Sequence, residues 1–204
     1  VSHRRLSNGE DKPYELNISW WSAMEDPGRD SNRFQYERFL LTQLLVMSLK
    51  GVPAFYLPAL LASENDIKSF SMTGQRRDLN REKFKSEKLE AVFKNPESNA
   101  NKNLRYLRHA MDVRSQLPQF HPQSQMECLS KNRADIVVIK RGIGSKAVFI
   151  IHNMTENKIN YRFIDYEFNK LIKNDLNMQD YLTSNKYNSN NIELDPFQVI
   201  WLGF

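Results

Sequence analysis

The stretch from residue 51 to residue 81 constrains the fold of this chain more than any other segment. It begins with a short apolar run, Val52 to Leu57, whose length is typical of a buried strand. A long loop follows and ends in the polar cluster Arg76-Arg77-Asp78-Leu79-Asn80-Arg81. In wound α/β folds, functional groups lie on the loops at the carboxyl ends of parallel strands. We therefore expect these residues to line one side of a ligand site, whose other side this chain does not supply.

Helices are predicted on both sides of this stretch, which gives the alternation of an α/β fold. The first helix carries apolar residues at helical spacing up to about Lys50, and Gly51 ends it. Two more helices are predicted over residues 82–94 and 98–117. Three polar residues are suitable caps for the start of the first helix: Asp30, Ser31 and Asn32.

The hydrophobic pattern changes from a helical period to β-branched, aromatic or alternating runs after a stiff linker at residues 118–122. Segment 163–174 is compatible with either a helix or an irregular excursion. We predict a domain boundary at the stiff linker, with residues 1–121 before it and a small antiparallel β domain, residues 122–204, after it. Alternating or β-branched runs predict strands at residues 134–140, 146–153, 158–163 and 197–204, with weaker candidates at 125–130 and 178–183.

Composition and charge narrow the class of protein. The 204 residues are 40% hydrophobic and 26% charged, which are ordinary globular values. The formal net charge of +5 is spread through helices that also carry acidic residues, so nucleic-acid binding is disfavoured. No apolar run approaches the roughly 18 residues of a membrane span. The single cysteine, Cys128, and the lack of an export signal predict a cytoplasmic protein without an internal disulfide.

Four segments resemble the C-terminal portion of α-amylase superfamily enzymes, in the sucrose phosphorylase-like branch. They are Tyr14-Glu15-Leu16-Asn17, similar to an active-site loop; Gly51-Val52-Pro53-Ala54-Phe55-Tyr56, similar to the eighth barrel strand; Leu60-Leu61-Ala62-Ser63-Glu64-Asn65-Asp66, similar to the loop after it; and Arg77-Asp78-Leu79-Asn80-Arg81, similar to an arginine-bearing motif. The resemblance implies the C-terminal end of a (β/α)8 TIM barrel, its last strand and helices, in residues 1–121.

The resemblance also implies a retaining glycoside phosphorylase. Such an enzyme moves a glucosyl unit from sucrose or a related α-glucoside to inorganic phosphate, through two carboxyl groups about 5 Å apart. In the family those carboxyl groups lie on earlier barrel strands, so we assign no catalytic residue to this chain. The implied partners are the α-glucoside, phosphate and the remainder of the barrel, and a homodimer is one expected assembly. The histidines lack metal-ligand spacing, so we expect no metal and no cofactor.

The residues carried over from the family are binding residues. Arg77 corresponds to the arginine that hydrogen-bonds the hydroxyls of the transferred glucose, although an arginine in a basic run is more often a surface residue. Tyr14 corresponds to a loop tyrosine of the phosphate or acceptor site, or else packs under its loop. Glu15 departs from the Gln of typical sucrose phosphorylases, which favours glucosylglycerate or glucosylglycerol as donors. Asp78 either touches sugar or shapes the loop.

Two other functions remain open at this point. One is an α-glucoside hydrolase or transglucosylase of the same superfamily, which would release free glucose without phosphate. The other is a non-catalytic carbohydrate-binding module. If the chain holds only the last barrel strand, that strand exposes unpaired edges, so we expect the chain alone to be marginally stable or to aggregate.

Overall fold

The computed structural model describes residues 1–26, 28, 33–130, 132–163 and 177–204. Its contacts divide the chain into two compact units, Val1–Gln35 with Phe55–Arg105 and Tyr36–Ala54 with Tyr106–Phe204. The domain boundary expected at residue 121 stays a prediction. Two expectations concern residues outside the described ranges: the helix cap at Asp30, Ser31 or Asn32, and nearly all of segment 163–174.

Helices supply most of the regular structure before residue 121. In the described ranges they are α1 (Gln35–Ser48), α2 (Leu57–Leu60), α3 (Ile67–Thr73), α4 (Ser86–Lys94) and α5 (Asn99–Gln116). Short 3-10 helices lie at Ser22–Met24, Arg76–Asn80, Pro118–Phe120 and Gly144–Lys146. The three predicted helices are confirmed as α1, α4 and α5, although α4 begins at Ser86 and not at residue 82. The expectation of one long loop after residue 57 is wrong, because α2, α3 and a 3-10 helix lie there.

Local signals at its two ends explain α3. The Asp66 carboxylate accepts a hydrogen bond from the Ser69 backbone N–H at 2.9 Å and another from the Ser69 hydroxyl at 2.6 Å. At the other end Gly74 adopts a left-handed backbone with φ of 67° and donates its N–H to the Phe70 carbonyl. The helix has only 7 residues, which is too short for a hydrophobic period to reveal it.

The strands in the described part of the chain form one hairpin and two sheets. The hairpin comprises β1 (Ser2–Arg5) and β2 (Asp11–Glu15); the remaining strands are β3 (Met126–Cys128), β4 (Ile136–Arg141), β5 (Val148–Asn153), β6 (Ile159–Tyr161), β7 (Asn177–Asp180), β8 (Lys186–Asn188), β9 (Ile192–Leu194) and β10 (Val199–Gly203). The larger sheet has the order β3-β4-β5-β10-β7-β8, and β6 pairs with β9 in the smaller one. All strand pairings among the described residues of these two sheets are antiparallel, as the alternating pattern predicts.

The core of the second unit lies between these two sheets. Strand β5 is buried along its whole length between β4 and β10. Alternate residues of β4, β5 and β10 lie on one face of the larger sheet, as the strand pleat requires. The buried residues of β9, in the smaller sheet, join them in one cluster. The apolar cluster that results contains Ile136, Val138, Phe149, Ile151, Ile192, Leu194, Ile200 and Leu202.

The N-terminal hairpin is an element that the hydrophobic pattern of the sequence does not predict. Strands β1 and β2 pair from Ser2 opposite Glu15 to Arg5 opposite Asp11. The turn is closed by a hydrogen bond from the Leu6 N–H to the Glu10 carbonyl at 2.8 Å. The strands carry mostly charged residues, so neither an apolar alternation nor a β-branched run marks them in the sequence.

The apolar run Val52–Leu57 is not a strand in this structure, which corrects the sequence prediction. The described chain places no strand beside it, and Leu57 already begins α2. Val52, Tyr56 and Leu57 are 80%, 57% and 48% exposed. A parallel strand is stabilised by hydrogen bonds to its neighbours, so an isolated one has nothing to form a ladder with. The backbone of Tyr56 nevertheless remains extended, with φ of −80° and ψ of 138°.

The predicted linker is a packed structural element. Phe120, on its 3-10 helix, is buried and lies against the Trp201 ring, with 4.7 Å between the ring centroids. The Arg141 guanidinium is fully buried beneath it and donates to the carbonyls of Gln119 and His121 at 3.2 and 3.0 Å. The segment therefore belongs to the core of the second unit.

Candidate functional site

Tyr14 and Glu15 lie at the end of β2, where the hairpin gives way to an irregular segment. Glu15 is opposite Ser2, and an irregularity in the pairing falls between Ser2 and His3. The Ser2 hydroxyl donates to the Asn17 side-chain oxygen at 2.6 Å. Pairing with β1 therefore fixes the backbone at Glu15. The neighbouring Tyr14 is 61% exposed.

Arg77 lies on the 3-10 helix Arg76–Asn80, which follows α3 and its C-terminal Gly74. The Asp66 N–H donates to the Leu79 carbonyl at 2.8 Å, so the start of α3 is tied to this 3-10 helix. Arg76 also donates to the Val1 carbonyl at the beginning of the hairpin. These two bonds hold the arginine-bearing segment beside the hairpin without using the Arg77 side chain.

Two of the segments that carried the family resemblance meet through an ion pair. Arg77 Nε donates to Glu15 Oε2 at 2.9 Å, although 62 positions separate the residues. The hydrogen bond and charge of Glu15, with a smaller contribution from Tyr14, raise the pKa of the Arg77 guanidinium above its ordinary value. Arg81 Nη2 lies 3.9 Å from Glu15 Oε1. The structure thus brings together Tyr14, Glu15 and Arg77 in the first unit.

Asp78 does not join this ion pair. Its carboxylate accepts a hydrogen bond from the Thr73 hydroxyl at 2.6 Å, and its backbone N–H donates to the Gln75 carbonyl. Both bonds shape the turn between α3 and the 3-10 helix, which is the loop-shaping alternative raised by the sequence. A direct contact of Asp78 with sugar stays a prediction.

Sequence reasoning missed the residues that hold the loop Leu60–Asp66. The Ser19 N–H donates to Asn65 Oδ1 at 2.7 Å, and the Asn65 N–H donates to the Ser22 hydroxyl at 3.2 Å. Asn103, on α5, donates from its amide nitrogen to the carbonyls of Ala59 and Leu60 at 3.2 and 2.9 Å. Asn65 lies in a segment that resembles the family, whereas nothing in the sequence marks Asn103.

Two buried side-chain atoms in the family-like segments lack hydrogen-bond partners among the described residues. They are Asn17 Nδ2, two residues after Glu15, and Asn80 Oδ1, three residues after Arg77. Buried polar groups are normally satisfied, so an unsatisfied one suggests a group that the described residues do not provide. A donor and an acceptor are therefore available close in sequence to the ion pair.

A cavity of about 460 Å³ opens elsewhere in the first unit, between the loop Leu60–Asp66 and helices α4 and α5. Trp21, Phe84 and Leu89 line its apolar part, and the ion-paired Glu82 and Lys88 lie at its polar part. Tyr14, Glu15, Arg77 and Asp78 are not among its lining residues. The cavity is therefore separate from the predicted sugar-binding residues.

The described residues contain neither a metal-binding cluster nor a membrane-spanning helix. No group of three or more His, Cys, Asp or Glu side chains there is arranged to hold a metal ion. Among the described helices, none is long and apolar enough to cross a bilayer. Cys128 is exposed on the edge strand β3.

Comparison with curated proteins identifies relatives that match most of the chain. No family model matches the chain. A glucosylglycerate phosphorylase from Allomeiothermus silvanus is 34% identical over 157 residues, which are 76% of this chain and 28% of that protein. A sucrose phosphorylase from Streptococcus mutans is 26% identical over 125 residues, covering 61% of this chain and 23% of the relative. This chain is homologous to a segment of curated glycoside phosphorylases. It spans only about a quarter to a third of the length of the curated phosphorylases it matches.

Solved structures confirm the predicted fold class for this glycoside phosphorylase homologue. An α-amylase from Anoxybacillus matches over 82% of this chain and 32% of its own, with a TM-score of 0.55 and 15% identity. The fold is that of the C-terminal end of a (β/α)8 barrel followed by a small antiparallel β domain. At this identity the match speaks for the fold alone.

Proposed function

We propose that this chain is part of a retaining glycoside phosphorylase, which transfers a glucosyl unit from an α-glucoside to phosphate and yields α-glucose 1-phosphate. The observation that carries the proposal is the 2.9 Å ion pair between Glu15 and Arg77. It joins, in one place, the two segments that resemble the acceptor loop and the sugar-binding arginine of such enzymes. The names of the curated relatives support the same activity.

In the proposed enzyme this chain binds, and the rest of the barrel performs the chemistry. The Arg77 guanidinium grips the hydroxyls of the transferred glucose, because its planar fork suits vicinal oxygen acceptors. Tyr14 and Glu15 lie at the acceptor side, and Asp78 supports the loop. The nucleophile and the general acid, two carboxyl groups about 5 Å apart in retaining enzymes, come from residues outside this chain.

We propose glucosylglycerate as the first donor to test, with sucrose second. Relatives named glucosylglycerate phosphorylase cover up to 99% of this chain, whereas the relative named sucrose phosphorylase covers 61%. The Glu15 carboxylate has Arg77 and Arg81 beside it, so an anionic acceptor such as glycerate meets two positive charges for one negative charge. We place the enzyme in the cytoplasm, where a single cysteine stays reduced, and include a homodimer as a testable assembly.

The test is product analysis with the complete gene product. Purified enzyme is incubated with glucosylglycerate, glucosylglycerol or sucrose, each with and without phosphate, and glucose 1-phosphate and free glucose are measured. Glucose 1-phosphate from one donor, absent without phosphate, supports the phosphorylase and identifies its acceptor. Free glucose at equal rates with and without phosphate would reassign the protein to the hydrolases. If neither product forms from any donor, the carbohydrate-binding module would remain as the function.

A further inference from the structure

Glu15 lies between two arginines and is the least exposed member of the cluster. Its side chain is 22% exposed, compared with 53% for Arg77 and 50% for Arg81. One carboxylate oxygen contacts Arg77 and the other is directed to Arg81. A carboxylate shared in this way is restrained from both sides, whereas a carboxylate with a single exposed partner is free to rotate away.

The geometry of the Arg77 bond leaves the outer part of the guanidinium outside it. The contact with Glu15 uses Nε, which is the nitrogen closest to the side-chain stem. A guanidinium is planar, so a hydrogen bond at Nε sets the plane in which the two terminal nitrogens lie. Those terminal nitrogens are the ones that can reach a pair of sugar hydroxyls while the bond at Nε is kept.

The charges of the three side chains also fit this arrangement. Glu15 with Arg77 and Arg81 carries a net charge of about +1, because one carboxylate faces two guanidinium groups. An unpaired carboxylate here would repel an incoming phosphate. A carboxylate already held by two arginines leaves the cluster positive, so it anchors Arg77 without making the cluster negative.

We propose that Glu15 is a positioning residue, whose carboxylate orients the Arg77 guanidinium toward the glucosyl unit and is itself anchored by Arg81. The inference rests on the proposed function for its substrate and on the observed contacts for its geometry. It assigns to Glu15 a role through Arg77. Direct contact of Glu15 with the reacting atoms is not part of it.

The first test does not depend on activity. The complete gene product is treated with phenylglyoxal, which modifies accessible arginines, and the modification rate of Arg77 is followed by peptide mass spectrometry. We expect Arg77 to react about 5- to 10-fold faster in Glu15→Ala than in the wild type, because its partner is lost. Asp11→Ala, which removes a carboxylate from the same strand, and the exposed Arg108 should show no change. An unchanged Arg77 rate in Glu15→Ala overturns the proposal.

The second test shows whether the pairing serves substrate binding. On the donor that the wild type uses, Glu15→Ala should lower kcat/KM about 10-fold, with Glu15→Asp recovering part of the loss. Because Glu15 is inferred to act through Arg77, adding Glu15→Ala to Arg77→Lys should cost little more than Arg77→Lys alone. Fully additive losses would overturn the positioning role. A wild type that forms no glucose 1-phosphate from any donor would refute the proposed phosphorylase. The modification rates of Arg77 would still show whether Glu15 pairs with it.

Discussion

Arg141 is a buried cation of the second unit that is satisfied by backbone carbonyls. The Arg141 guanidinium donates to the carbonyls of Ser48, Gln119 and His121, and no acidic side chain pairs with it in the part of the chain that the structure describes. Burial lowers the pKa of Arg141 from its ordinary value, with a further contribution from the charge of Arg114. One cation thus ties the end of α1 to the segment around Phe120 and to β4.

Replacing Arg141 should therefore destabilise the second unit strongly. We expect Arg141→Ala to lower the free energy of unfolding by about 3 kcal/mol or more, because three carbonyls lose a donor and a cavity forms. The measurement is equilibrium chemical denaturation, with Arg108→Ala as a control that removes an exposed arginine. A loss for Arg141→Ala below about 0.5 kcal/mol, as for a surface substitution, would contradict this account.

His152 gives the second unit a dependence on pH. The ring is fully buried; Nδ1 lies 3.2 Å from the Val137 carbonyl and Nε2 lies 3.2 Å from the Ser48 hydroxyl. Burial lowers the pKa of His152 to about 4, from an ordinary value of 6.5. As pH falls below 6.5 the unfolded chain takes up this proton before the folded one does, so stability decreases with acidity.

We expect the free energy of unfolding to fall by roughly 3 kcal/mol between pH 6.5 and pH 4 from this residue alone. His152→Gln should flatten that part of the pH profile, although it lowers stability at neutral pH. His3→Gln, at an exposed position, serves as the control and should leave the slope unchanged. A profile with the same slope in His152→Gln and in the wild type would show that another group is responsible.

At this scale the sequence supplies residue types but not their pairings. The family resemblance named Arg77, Tyr14 and Glu15 as binding residues, each with an alternative. The ion pair between Glu15 and Arg77 could not be predicted, because it depends on a hairpin whose charged strands leave no alternating pattern. Nothing in the sequence pairs Arg81 with Glu15, although the structure places Arg81 Nη2 3.9 Å from Glu15 Oε1.

Among the elements, α3 and the 3-10 helix after it decide where Arg77 lies. Asp66 contributes twice, as the cap of α3 and through the bond from its N–H to Leu79. The hydrogen bonds from Ser69 lower the pKa of Asp66 below its ordinary value, which shows that the cap favours the ionised carboxylate. The two-turn helix depends on such end interactions, because its length gives it little intrinsic stability.

Removing the cap should loosen α3 locally. Asp66→Ala is expected to cost about 1 kcal/mol of local stability, which corresponds to roughly 5-fold faster amide hydrogen exchange across Ile67–Thr73. Asp66→Asn, which keeps a capping oxygen, should restore most of the protection. Glu64→Ala, an exposed neighbour, is the matched control. Unchanged exchange in Asp66→Ala would show that α3 is held by other contacts.

Element prediction succeeded where a pattern is long and failed where it is short or incomplete. Helices α1 and α5 and strands β4, β5, β6 and β10 follow hydrophobic patterns that are visible in the sequence, whereas β8 and β9 were not predicted. Helix α3 depends on a cap and a glycine, which are local signals. The run Val52–Leu57 has the composition of a barrel strand, but composition alone cannot form a ladder without neighbouring strands.

For the whole molecule, the main physical feature is apolar surface left uncovered. Val52 and Met72 are 80% and 77% exposed, and Ile67 and Tyr56 are 60% and 57% exposed. A contiguous exposed apolar surface, unlike single exposed apolar residues, usually marks a place that another part of a protein covers. We propose the remainder of the barrel as that partner.

This chain by itself should therefore be marginally stable or should associate. We expect size-exclusion chromatography with light scattering to show species larger than 24.0 kDa, and thermal unfolding to be broad. Supplying the rest of the barrel, in the complete gene product, should give a sharper transition. A monomeric chain that melts cooperatively on its own would contradict the proposed partner.

The central claim is that Arg77 binds the glucosyl donor of a phosphate-dependent enzyme. The most direct measurement compares phosphate-dependent glucose 1-phosphate formation by the wild type, Arg77→Lys and the exposed-site control Arg108→Lys. We predict that Arg77→Lys lowers kcat/KM for the donor about 100-fold, because lysine lacks the planar fork, while Arg108→Lys stays near the wild type. Equal activity of Arg77→Lys and Arg108→Lys would contradict the account.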